Sequence, residues 1–257
     1  MAAIQTEIEG HVLKIALNRP DKMNAFTVAM LEELAAAYTQ LEDTPSLRCA
    51  VLYAHGDHFT GGLDLAQVAG HLKDKQSGLF GPGQVDPVQL HGRKRTKPVV
   101  IAVHGYCLTI GIELLLAADI AIAAPNTKFG QIEIKRGIFP FGGATIRMQQ
   151  RCGWGNAMRY LLTGDLFDGQ EALRIGMVQE LHEQPALRAF ELAQTIASQA
   201  PLGVQATLVS AYTTIHDGEQ AAADQLYPTI YKLMATDDAK EGVQSFVERR
   251  QANFKGK

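Results

Sequence analysis

Cysteine is scarce: three residues in 257, Cys49, Cys107 and Cys152, odd in number and without a CxxC pair. That argues against a disulfide framework and points to a reducing compartment. An excess of positive charge is missing too, with 24 Lys and Arg against 27 Asp and Glu and a formal net charge of −3. No basic field is left to hold nucleic acid or an anionic membrane surface. No apolar run reaches the ~18 residues that cross a bilayer. The opening MAAIQTEIEGHVLKIALNRP has neither the basic and apolar regions of a signal peptide nor an Arg-rich presequence. The cytoplasm is the expected location, with no membrane and no nucleic acid as partner. Internal repeats and low-complexity tracts are also lacking. What is there, 46% hydrophobic and 20% charged residues, is the composition of a globular protein with a sizeable core.

Along the chain, strand and helix signals alternate. IQTEIEG and HVLKIAL meet at Glu9-Gly10 as a hairpin would. TVAMLEELAAAYTQLED carries apolar residues at helical spacing, with Thr27 placed as its N-cap. CAVLYA (49–54), VVIAVHG (99–105) and DIAIAA (119–124) are short apolar runs bounded by turn residues, as buried parallel strands require. Strands joined by helix-length crossovers imply α/β layering. Residues 66–96 are rich in Gly and polar groups and read as an irregular, functional segment; its Leu79, Phe80, Val85 and Leu90 are expected to line a pocket. Beyond about residue 156 the pattern is mostly helical.

Two acids stand in unusual company. From Pro98 to Ala118 the only formally charged side chain is Glu113, in GYCLTIGIEL. The strand before it gives way to a helix near Thr109, whose first-turn N–H groups lack intrahelical partners and can cradle an anion or a polarised carbonyl oxygen. An acid here also complements the helix dipole with its head in solvent, and these residues alone leave both roles open. Glu133 lies in FGQIEIKRGIFPFGGATIR, beyond the next strand and before a helix near Gly142-Gly143. Two such carboxyls can divide acid and base work if their surroundings separate their pKa values. A third piece, HGDHFTGGLDLAQ, holds Gly61-Gly62, where backbone can approach a ligand closely, with the Leu63 N–H at a helix start. The histidines of HGDH have no Cys or acidic partners in a zinc pattern, so no metal is expected.

Together these pieces resemble the enoyl-CoA hydratase/isomerase family, the crotonases, over essentially the whole chain. LNRPDKMNAF is similar to that family's LNRPxxxNAL, and HFTGGLDL to FxAGxDL. KPVVIAVHGYCLTIGIELLLAADIAIA is similar to KPxIAAVxGxxxGGGxEL…CDxxxA, and FGQIEIKRGIFPFGGATIR to FGxPExxxGxxPGxGGTxRL. LLTGDLFDGQEALRIGMVQEL follows LTGxxxxAxEAxxxGLV.

The resemblance implies a crotonase-like α/β spiral of repeated ββα units over residues 1–195. It also implies a C-terminal helical oligomerisation region over 196–257, giving a homotrimer or a dimer of trimers. The apolar positions of AFELAQTIA and the aromatics Tyr227, Tyr231 and Phe246 exceed what so small an appendage buries alone and are expected to face neighbouring subunits. The resemblance implies hydration of an enoyl-CoA thioester, with coenzyme A present only as part of the substrate and no permanently bound cofactor. Glu113 and Glu133 fall on the family's catalytic glutamates, and the N–H groups of Leu63 and Ile110 on its oxyanion hole. Ala25, Gly61, Gly62, Leu63, Asp64 and Gly111 fall on positions that contact substrate. Double-bond isomerisation of an acyl-CoA, or a non-catalytic homologue binding acyl-CoA or RNA, are the alternatives; the retained glutamates and the negative charge weigh against the second. Departures from the pattern are Thr109-Ile110 in place of two glycines, Phe141 and Ala144 in place of two more, and Ala66 where many members carry lysine. The β-branched Ile110 side chain is expected beside the thioester, shaping the choice of acyl group.

Overall fold

The computed structural model describes residues 2–73 and 83–257. It opens with the expected hairpin: β1 (Ile4–Glu9) and β2 (Val12–Leu17) pair antiparallel, Ile4 facing Leu17. Helix α1 (Val28–Asp43) follows, and the Thr27 side chain accepts from the Met30 N–H as its cap. Next come β3 (Cys49–Ala54), α2 (Leu65–Lys73), β4 (Val99–Val103), β5 (Tyr106–Leu108), α3 (Ile110–Ala117), β6 (Ile120–Ala123) and β7 (Lys128–Gly130). Glu133–Arg136 makes a 3₁₀ turn. Helices α4 (Ala144–Cys152) and α5 (Trp154–Thr163) lead to β8 (Phe167–Asp168), α6 (Gly169–Arg174) and β9 (Glu180–Leu181). Four helices end the chain: α7 (Pro185–Ala197), α8 (Pro201–Asp217), α9 (Glu219–Met234) and α10 (Asp237–Glu248).

Six strands form one sheet in the order β1-β2-β3-β4-β6-β9, parallel from β2 onward. Because side chains alternate along a strand, this sheet has two buried faces. Leu13, Ile15, Leu52, Val99, Ile101 and Ala121 enter the main core with α1 and α3. Val12, Cys49, Val51, Val100, Ala102 and Ile122 enter a second layer under Ala189, Ala193 and Ala197 of α7. Alanine at every fourth position lets α7 lie close on the strands.

Two expectations change here. Residues 66–73 belong to α2 rather than to an irregular segment, and Val68 on its inner face is fully buried. The apolar positions of AFELAQTIA, expected to face neighbouring subunits, are covered by the chain's own sheet, and α7 runs past residue 195. A second sheet, β5-β7-β8, escaped the sequence reading because its strands are two or three residues long.

Helix α8 has no fully buried residue and is tied to the core through Tyr212, whose hydroxyl donates to Asp119 at 3.1 Å. Asp119 also accepts from the buried Arg95 at 2.7 and 3.1 Å, so its charge is compensated. At the other end Lys255 and Gly256 donate backbone N–H bonds to Asp238 at 2.6 and 2.8 Å, folding the tail onto the start of α10. Among the described residues no helix is long and apolar enough to cross a membrane.

Candidate active site

Two backbone arms meet where β3 and β4 end. The first runs from His58 to Asp64 and is braced from below by Asn24, which is wholly buried with φ +51°. The Asn24 side chain accepts from the Arg19 N–H at 2.7 Å and donates to the carbonyls of His55 and His58 at 2.9 and 2.8 Å. Thr60 donates its hydroxyl to the Asn24 carbonyl at 2.7 Å and accepts from the Gly62 N–H at 3.0 Å. Gly61 donates to Met23, Phe26 to the Gly62 carbonyl, and Asp64 to Phe26, at 2.8, 2.8 and 2.9 Å. The Leu63 N–H, between them, meets no acceptor among the described residues.

The second arm is β5 and the first turn of α3. Thr109 donates to the Gly130 carbonyl at 2.9 Å, and its own carbonyl accepts from Ile112 and Glu113 at 2.9 and 3.2 Å. The Ile110 N–H is also without an acceptor among the described residues, as the start of a helix leaves it. A short ladder joins the arms: Thr60 donates to the Tyr106 carbonyl at 2.9 Å and Leu108 to the Thr60 carbonyl at 3.1 Å.

Glu113, one turn into α3, is 3% exposed. The solvent-facing alternative is therefore closed. Its Oε1 accepts from the Gly142 N–H at 2.6 Å and the Ala144 N–H at 3.4 Å, at the start of α4. Burial raises its pKa to about 7 against the pull of those donors. Gly142 has to be glycine: a side chain there would place Cβ 2.3 Å from Glu113 Oε2.

Glu133 opens the 3₁₀ turn and is 7% exposed. The Gln131 amide, with its nitrogen turned to this carboxylate, donates to both oxygens at 2.9 and 3.1 Å. Burial pushes Glu133 up to about 7 as well, and the negative charge of Glu113 pushes the same way. Two carboxyls from separate elements are thus near enough to feel each other, both poised to exchange protons at neutral pH.

The remaining expected positions fall around this centre with mixed roles. Arg19 donates to the Ala25 carbonyl at 2.8 Å and to Asp64 at 3.1 Å. Asp64 therefore pairs with a cation within the chain, bracing the first arm. Gly111 packs so tightly that a Cβ would lie 2.6 Å from Thr60 Cγ2 and 3.1 Å from Cys107 Sγ. Val85 is fully buried in the main core instead of lining a pocket. Leu90 packs at the start of α4, with its methyls 3.4 and 3.5 Å from where a Gly143 Cβ would be. Leu79 and Phe80 lie outside the described residues. Sequence reading passed over Asn24, Thr60 and Gln131, and read Gly142 only as part of a helix start. A lone Gln two positions before an acid, in otherwise apolar company, was the one signal available for Gln131.

Comparison with known proteins fits this geometry. Residues 7–257 match the family model described as enoyl-CoA hydratase/isomerase. The chain belongs to the enoyl-CoA hydratase/isomerase family. It is 33% identical to the enoyl-CoA hydratase EchA19 of Mycobacterium tuberculosis, over 98% of this chain and 96% of that one. With the crotonyl-CoA hydratase of Syntrophomonas wolfei it shares 32% identity, over 96% of each. A crystal structure of a probable enoyl-CoA hydratase/isomerase from Mycobacterium abscessus superposes with a TM-score of 0.96 at 51% identity, covering 99% of both chains.

Against the family's pattern, the two residues that replace glycines at the start of α3 differ in where they point. The Ile110 side chain is 1% exposed and packs in the main core, so the expectation that it shapes the pocket does not hold. Thr109 faces the other arm, and its Oγ1 lies 2.3 Å from the position a Gly62 Cβ would take.

Proposed function

We propose that this family member is an enoyl-CoA hydratase, adding water across the 2,3 double bond of an enoyl-CoA thioester. The observation that carries the reading is the pair of buried carboxyls, each pushed up to about 7, together with two backbone N–H groups that have no acceptor among the described residues. Coenzyme A enters as part of the substrate.

In this mechanism the thioester oxygen sits between the Leu63 and Ile110 N–H groups. Negative charge grows on that oxygen as water attacks Cβ, and each preorganised donor in such a hole is worth about 3 kcal/mol. Glu113 holds two backbone N–H donors, which favour its ionised form, so it is the group that orients water and takes its proton. Burial, reinforced by the charge on Glu113, keeps Glu133 protonated, and Glu133 delivers that proton to Cα as the enolate collapses. A C–O bond forms at Cβ and a C–H bond at Cα. The enzyme resets when the proton gained by Glu113 passes to Glu133.

The test is loss of the conjugated-thioester absorbance of crotonyl-CoA, followed for the wild type and for glutamine variants of both acids. Formation of a 3-hydroxyacyl-CoA supports hydration. Migration of the double bond with no hydrated product replaces it by the isomerase reading.

The region from residue 196 onward serves assembly in this reading, as a trimer or a dimer of trimers in the cytoplasm. Support comes from α9 and α10, where Tyr227 and Tyr231 are 72% and 70% exposed and Phe246 and Val247 are 85% and 74% exposed. Leu226, Ile230 and Met234 of α9 are open as well, and large exposed apolar surfaces mark interaction sites.

A further inference from the structure

Thr109 carries two costs. Its backbone sits at φ +50°, ψ −114°, a region that suits glycine and strains a β-branched residue by about 1–3 kcal/mol. Its hydroxyl oxygen is closed off from solvent and has no hydrogen-bond partner among the described residues. Such a group in a native site calls for an explanation. Relief by a ligand is a poor one, because Oγ1 is pressed against the other arm and leaves no room for an incoming oxygen. Oγ1, Cβ and Cγ2 lie 2.3, 3.5 and 3.5 Å from the point where a Gly62 Cβ would sit. Gly62 itself has φ +106° and could accept no side chain there.

The position of this contact matters. At their base the arms are joined by the two hydrogen bonds between Thr60 and the Tyr106–Leu108 strand, at 2.9 and 3.1 Å. At their tips the next peptides are the two donors without an acceptor among the described residues, Leu63 after Gly62 and Ile110 after Thr109. Deeper between the arms, Gly111 packs on Thr60 and Phe59 of the first arm and on Cys107, so α3 cannot come closer without disturbing the core.

We propose that Thr109 is a positioning residue, a side-chain wedge between the arms that sets the spacing of the Leu63 and Ile110 N–H donors. This rests on the reading that those two donors hold the thioester oxygen. Where the family pattern has glycine, donor spacing is left to the backbone; here a side chain in van der Waals contact with the facing glycine fixes it, and strain at Thr109 is the cost. The wedge acts on the transition state more than on binding, because charge reaches its peak on the oxygen only as water attacks.

The experiment uses the full-length protein as Thr109→Gly and Thr109→Ser, with three readouts: thermal midpoint, kcat and KM on crotonyl-CoA, and the absorption of bound cinnamoyl-CoA. A conjugated thioester absorbs further to the red as hydrogen bonds polarise its carbonyl. The glycine variant, freed of strain, should melt at or above the wild-type temperature. Its kcat should nevertheless fall by about 10-fold or more, less than the ~10²–10³ lost with a whole donor, while KM changes by under about 3-fold. Its red shift should shrink. Serine keeps an oxygen on Gly62 and should restore kcat to within about 3-fold of wild type. A glycine variant with wild-type kcat and red shift overturns the proposal, as does a loss of kcat that only tracks a lower melting temperature. If wild type itself gives no red shift, the two-donor hole is wrong and the wedge falls with it, a result separable from failure of the wedge alone.

Discussion

A solvated glutamate gives up its proton near pH 4.5, whereas Glu113 and Glu133 hold theirs to about pH 7, and the fold carries the consequence. Between those values the folded chain binds more protons than the unfolded one. Stability therefore falls as pH rises through that window, and each carboxyl costs at most about 3 kcal/mol once fully ionised. Glu113→Gln keeps an acceptor for the Gly142 and Ala144 N–H groups while removing the buried charge. Its melting temperature should exceed that of wild type at pH 8 and match it near pH 4.5. Thermal scans across this range check the sign; equal pH slopes in the two proteins would mean that Glu113 is not held protonated. Of this scale the sequence disclosed the acids, since a lone carboxylate in an apolar run is visible as a pattern. It could not disclose Gln131 or Thr60, whose value lies in partners distant along the chain.

The joint between α3 and α4 is built from elements whose ends were legible. Thr27, Gly143 and Thr109 mark helix starts where turn chemistry and periodicity place them. The sheet strands β3, β4 and β6 were legible for the same reason, as short apolar runs between turns. Strands β5, β7 and β8 were not, because two or three residues cannot display a period and form only against one another. What the joint does also escaped the sequence: the Gly142 and Ala144 N–H groups leading into α4 face an acid on α3, and the missing side chain at Gly142 leaves room for it. Gly142→Ala should therefore displace the Glu113 carboxylate, since its new methyl carbon would lie 2.3 Å from Oε2. Its φ is not positive, so backbone strain is not added. The expected outcome is a drop in kcat of about 10-fold or more with a shift in melting temperature of only a few degrees. Unchanged turnover in a folded variant would show that Glu113 tolerates another position.

At the scale of the molecule, the composition had already argued for a core larger than a small domain needs, and the two-layered burial of the sheet accounts for most of it. The alanines of α7 proved internal, with Phe190, Leu192 and Ile196 partly covered, because strand partners, not sequence distance, decide which face is covered. Those of α9 and α10 remain open, and light scattering at micromolar concentration should give a trimeric or hexameric mass. Tyr231→Glu, placing a charge in that surface, should lower it; a monomeric wild type would remove the assembly reading. The most direct measurement of catalysis is crotonyl-CoA hydration by wild type, Glu113→Gln and Glu133→Gln, each verified as folded. Wild type should hydrate the thioester, and kcat should be at least about 10²-fold lower in each variant, the scale of a lost general acid or base. Near-wild-type turnover in either folded variant would contradict the hydratase mechanism.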